Sequence, residues 1–78
     1  MQYVVHTSTT WWKGDATSPE EACGLHDEEK GLAPTTYASM TKEEFGVWSE
    51  PSGVSAIGYE VREVHGAGYK LAGYYKRN

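Results

Sequence analysis

Cys23 and His26 stand three residues apart in the stretch SPEEACGLHDEEKG, residues 18–31, and the other histidines are His6 and His65. On a helix, a spacing of three brings two side chains together. The pair therefore offers either two metal ligands or a thiol beside a base. Zinc sites draw on three or four ligands, commonly in paired spacings, and there is no second cysteine. A cysteine nucleophile needs a base that a third group holds in place, and the spacing supplies none. No serine-centred elbow, phosphate loop or dinucleotide fingerprint occurs. The sequence predicts no metal, no cofactor and no catalytic residue, hence a protein that binds rather than an enzyme.

The same stretch is acidic. At 100° per residue, Glu20, Glu21, Asp27 and Glu28 fall within about 120° of one another on a helix, with Ala22, Leu25 and His26 opposite. This stripe faces solvent in the simplest reading and is a candidate surface for a Lys/Arg-rich partner. Trp11 and Trp12 adjoin it in sequence. Neighbouring residues on a strand point to opposite faces, so with Tyr3 and Val5 inward, Trp11 is expected inside and Trp12 outside. An exposed Trp12 would serve as a binding anchor. The expected partner-binding residues are Trp12, Glu20, Glu21, Asp27 and Glu28. An alternative surface is the basic, aromatic outer face of the C-terminal hairpin, Arg62, Lys70, Tyr74 and Lys76, which would stack on bases and contact phosphates.

The elements that hold these residues are legible from their punctuation. QYVVHTSTTWW, residues 2–12, is rich in β-branched and aromatic residues and reads as one strand. Ser18, Pro19 and Glu21 form a capping box at a helix start, and Gly31 supplies its stop. LAPTTYAS reads as a connector. Thr41 and Glu44 begin a second, short helix, with Met40 packing on Phe45, Phe45 and Trp48 sharing a face, and Pro51 and Gly53 ending it. SAIGYEVREVHGAGYKLAGYYKRN reads as a hairpin. Placing Ile57, Tyr59 and Val61 on one side with Tyr69, Leu71 and Tyr75 requires a loop of odd length. The three residues Gly66-Ala67-Gly68 fit, with Gly68 left-handed. Val61 then faces Gly73, and Tyr59 faces Tyr75. The expected fold is one α+β domain over residues 1–78: a three-stranded antiparallel sheet in the order β-α-α-β-β, with both helices on one face.

Composition sets the limits on the core. Val, Leu, Ile and Phe together number only eleven of 78 residues, whereas Trp, Tyr and Phe make ten. Aromatic rings, each able to bury about 150–250 Å², must therefore carry the interior. A domain this small gains from a partner or from a homodimer. Net charge is −4, and all of it falls within residues 1–40. With one cysteine, no signal-peptide pattern and no long apolar run, the chain reads as a complete cytoplasmic gene product without a membrane span.

In length, in the acidic SPEEACGLHDEEKG helix and in the compact order ending in GYEVREVHGAGYKLAGYYKR, the chain resembles the small single-domain inhibitors of phages and mobile elements, anti-CRISPR proteins above all. The resemblance is to the class and transfers no site residue. It implies stoichiometric, non-enzymatic binding to a nucleic-acid-handling complex, such as a CRISPR-Cas effector in the host cytoplasm. The alternatives are a nucleic-acid-binding or regulatory domain that uses the hairpin, and a structural phage subunit.

Overall fold

A computed structural model describes residues 1–49 and 58–78, with backbone alone over 46–49. The described elements are β1 (Gln2–His6), β2 (Trp11–Asp15), α1 (Pro19–Glu29), β3 (Tyr37–Met40), α2 (Lys42–Ser49), β4 (Gly58–His65) and β5 (Gly68–Arg77). The class is α+β, but the sheet has five strands where three were expected, in the order β2-β1-β4-β5-β3 with every pairing antiparallel. The expected trio is its centre, and β2 and β3 are additional edges. Among the described residues no helix is long and apolar enough to cross a membrane. The position of Trp48, the stop at Pro51 and Gly53 and the inward place of Ile57 lie outside the described residues and side chains.

The extra strand β2 arises because residues 2–12 fold back on themselves. Thr7 Oγ1 accepts the backbone N–H groups of Thr9 (3.3 Å) and Thr10 (3.0 Å), and Thr7 N–H bonds Thr10 O at 2.9 Å. A threonine hydroxyl that captures nearby amides competes with strand extension and makes a turn. In the resulting register Val5 pairs with Trp12 and His6 with Trp11. The expected orientation of the two indoles is thereby reversed: Trp12 packs against the core, and Trp11 is 60% exposed on the other face. The other missed strand, β3, is a four-residue edge whose Ala-Ser centre carries little strand signal.

The helices begin and end as their caps dictate. Ser18 Oγ accepts Glu21 N–H at 3.1 Å, and Glu21 Oε1 reaches back to Thr17 N–H at 2.7 Å. At the far end Gly31 takes φ +83°, Leu32 N–H bonds Asp27 O, and Gly31 N–H bonds Glu28 O, which is the Schellman arrangement. Thr41 and Glu44 form a reciprocal box, with bonds of 3.1 and 2.9 Å. The two helices do not share a face, contrary to expectation. α1 covers Tyr3, Val5, Tyr59, Val61 and Tyr75. α2 lies on the reverse side, where the Phe45 ring sits 4.6 Å from that of Tyr74, the neighbour of Tyr75 along β5.

The β4–β5 hairpin keeps the expected Tyr59–Tyr75 and Val61–Gly73 pairs by a different device. Its loop has two residues, Gly66 and Ala67, closed by His65 and Gly68, and Gly66 is the left-handed residue at φ +56°. A glycine at the first central position with φ positive there alone marks a type II′ turn. The odd residue appears elsewhere: Val61 faces Gly73 while Arg62 faces Leu71, so Ala72 bulges. Beyond that bulge every β5 side chain changes face. Tyr69 and Leu71 leave the expected core and stand 57% and 47% exposed.

The Trp12 ring lies across Gly14, where an added Cβ would come within 2.6 Å of its Cζ2 atom. Gly14→Ala must therefore displace the ring, and the expected cost is about 1–3 kcal/mol. It is read as a lower urea midpoint with altered tryptophan emission; an unchanged midpoint would place the ring elsewhere.

Candidate functional site

The helical wheel of α1 divides cleanly. Ala22, Cys23, His26 and Asp27 are buried, while Glu20, Glu21 and Glu28 are exposed. Asp27 is thus a correction to the expected acidic surface. It has no solvent exposure at all. Its carboxylate accepts hydrogen bonds from Tyr37 OH to Oδ2 (2.6 Å), from Tyr59 OH to both oxygens (2.7 and 2.9 Å) and from Arg77, and it meets His26 Nδ1 at 3.0 Å. Arg77 also donates to Ala33 O at 2.9 Å. A buried carboxylate survives as an anion only when its lone pairs are filled and its charge is countered. Here burial pushes its pKa up, the donors from Tyr37, Tyr59, His26 and Arg77 pull it down, and the donors prevail, so it lies below its ordinary value. Burial, and after it the contact with Asp27, pushes the Tyr37 phenol up to about 12 and raises that of Tyr59 further.

Since ionised Asp27 can only accept, His26 Nδ1 carries the proton that points at it. Nε2 then faces Thr10 Oγ1, 2.7 Å away. The carboxylate therefore reaches, through one imidazole, from the sheet to the turn between β1 and β2.

The remaining acids line a groove. Glu20, Glu21 and Glu28 stand along one bank, Pro34 to Tyr37 form the other, and Gly24 and Leu25 lie between, enclosing about 520 Å³. Gly24 faces the opposite bank closely: an added Cβ would meet Pro34 at 3.7 Å and Tyr37 at 3.8 Å, in ordinary van der Waals contact. Among the described residues none of these three carboxylates is paired with a cation. Trp12 is not part of this groove. With Trp11, Lys13, Glu29 and Lys30 it lines a separate hollow of about 350 Å³.

The alternative nucleic-acid face is divided by the bulge. Lys70 pairs with Glu63, which lies on the α1 side, whereas Arg62, Tyr74 and Lys76 remain on the reverse side. There Tyr74 stacks on Phe45, and Arg62 pairs with Glu60 at 2.8 Å. The Cys23 thiol is buried, and burial followed by the Asp27 and Glu20 charges pushes it up to about 12, far from a reactive thiolate. Among the described residues no group of three or more His, Cys, Asp or Glu side chains is arranged to hold a metal ion. Comparison with protein-family models, with curated proteins and with solved structures found no match.

Replacing the Asp27 carboxylate by an amide removes the charge that Arg77 pairs with and leaves one neutral oxygen for two phenols and a guanidinium. Asp27→Asn is expected to destabilise the fold by about 3–5 kcal/mol. Tyr59→Phe, which removes one donor to a charged acceptor, is expected to cost about 1.5–3 kcal/mol. Chemical denaturation checks both, and equal midpoints for wild type and Asp27→Asn would show that the cluster contributes nothing. The pH dependence has a defined sign. The carboxyl titrates lower in the fold than in the unfolded chain, where it titrates near about 3.9. Its contribution is complete above about pH 5 and is lost as pH falls through the folded value. Urea midpoints for the wild type should fall steeply below about pH 4, while those of Asp27→Asn should fall less.

Proposed function

We propose that the chain is a protein-binding module whose α1 groove takes a Lys/Arg-rich segment of its partner, and that it acts as an inhibitor of a nucleic-acid-handling complex by occupying a basic surface there. The observation that carries this reading is the set of three carboxylates, Glu20, Glu21 and Glu28, that meet no cation among the described residues, beside an apolar floor at Leu25 and a bank of Pro34 and Tyr37. Lysine and arginine bury their alkyl stems on apolar surface while the cation stays at the polar rim. A groove with that floor and that rim suits both halves of such a side chain. The separation of charge along the chain adds to it, since acids steer the approach to a basic partner. A surface that ordinarily receives phosphates is the natural complement. Asp27 belongs to the scaffold of this site rather than to its contacts, and Trp12 supports the sheet behind it.

The test reverses charge only at exposed positions. Glu20→Lys combined with Glu28→Lys leaves the buried cluster intact, so its circular dichroism should match the wild type and its melting should fall only slightly, through the reversed first-turn charge of α1. Its capture of the partner from a host extract should weaken at least about tenfold, roughly 1.4 kcal/mol, and added polyanionic nucleic acid should displace the partner from the wild type. Equal capture by the variant would reject the groove.

A further inference from the structure

We propose that Thr10 is a nucleophile, with His26 as its general base and Asp27 as the positioning residue, able to transfer the acyl group of a small carboxylic ester to water. The inference stands on geometry that the binding reading does not use. Thr10 Oγ1 lies 2.7 Å from His26 Nε2, and His26 Nδ1 lies 3.0 Å from Asp27 Oδ1. A hydroxyl hydrogen-bonded to an imidazole that a carboxylate orients is the arrangement by which enzymes activate an alcohol. Helical spacing alone offered Cys23 as the partner of His26 but nothing to orient it. The fold replaces the thiol with a hydroxyl from the first turn and supplies the orienting group from the next residue of the helix.

Asp27 is an acceptor, so Nδ1–H donates to it, and the neutral imidazole that the proposal requires as base turns its Nε2 lone pair to the Thr10 hydroxyl. Thr7 Oγ1, 2.7 Å from Thr10 Oγ1 and 3.4 Å from Thr10 O, has its lone pairs taken by the Thr9 and Thr10 amides, which leaves its own proton to donate toward Thr10. The Thr10 proton is thus committed to the base. His26 is only 2% exposed, whereas Thr10 is half-buried and opens on a cavity of about 180 Å³ lined also by Ser8, Thr9, Lys30 and Leu32. That volume admits a small acyl group.

The step balances without a cofactor. Thr10 Oγ bonds the carbonyl carbon while its proton passes to Nε2. The carbon–oxygen bond to the leaving alcohol breaks, and that alcohol departs with the proton. Water, giving a proton to Nε2, then cleaves the threonyl ester, releases the carboxylic acid and restores the hydroxyl.

The experiment uses the intact chain and p-nitrophenyl acetate. The wild type should release a burst of p-nitrophenolate equal to the protein concentration and carry one acetyl group on the peptide containing Thr10, seen by mass spectrometry. Thr10→Val, which leaves His26 Nε2 without its partner and so melts lower, should keep the wild-type circular dichroism and lose both burst and adduct, and Thr10→Ser should retain them. His26→Gln should slow acetylation by roughly 10²-fold or more. The proposal is overturned if the wild type gives no burst, if Thr10→Val releases as much, or if the acetyl group sits on Lys30, Cys23 or the N-terminus.

Discussion

One buried anion organises this molecule. Withdrawing a carboxylate from water costs several kcal/mol even after relaxation, and Asp27 offsets that cost by collecting donors from different elements: His26 on its own helix, Tyr37 on β3, Tyr59 on β4 and Arg77 on β5. Each donor is held where it is only if its element is in register. The helix cannot rotate, nor β5 slip by a residue, without leaving either the carboxylate or the guanidinium unpaired. Arg77 extends the constraint to the connector through Ala33 O, so the bank of the acidic groove is fixed by the same ion pair that closes the core.

The choice of residues follows from the scarcity of aliphatic ones. A chain with so few Val, Leu and Ile must fill its interior with rings, and six of its ten aromatic residues are tyrosines. Tyr59 is fully buried and Tyr37 half-buried, and their rings meet edge to face at 5.6 Å. Burying phenols brings hydroxyl groups inside, and each needs an acceptor. A single carboxylate accepts from both, but its charge then needs a cation, and Arg77 at the end of β5 provides it. A polar centre is thus what a tyrosine-built core requires, and the helix that supplies it is left with its remaining acids on the outside.

What was legible in the sequence is what chain neighbours decide. Ser18 with Glu21, Thr41 with Glu44 and Gly31 mark helix ends because each bond spans only a few residues. The Tyr59–Tyr75 and Val61–Gly73 pairs follow from alternation and loop length. Asp27 shows where that reasoning stops. On the helical wheel it stands only about 20° from Glu20, at the boundary between the buried and exposed arcs. Its side is settled by Tyr59 and Arg77, which lie 32 and 50 residues away in the chain. The Thr10–His26 contact was hidden for the same reason, since a run of Ser and Thr can extend a strand or close a turn, and only the hairpin brings Thr10 over the helix.

The bulge at Ala72 carries the most consequence of the features that parity alone could not place. A loop of three residues and a loop of two with one bulged residue satisfy the same pairing near the open end of the hairpin. They differ in what lies between the bulge and the turn, where a shift of one residue exchanges the faces. The β-bulge therefore acts as a sorting device. It retains Tyr75 in the core and sends Tyr69 and Leu71 to the side of the sheet that α1 does not cover, where Trp11 also stands. The aromatic surplus that the small core cannot take is thus collected on the reverse face, away from the acidic groove. The molecule presents two chemically unlike surfaces, negative on the helix and mixed basic and aromatic on the sheet, and the one residue of β5 without a partner on β4 is what adds Tyr69 and Leu71 to the second.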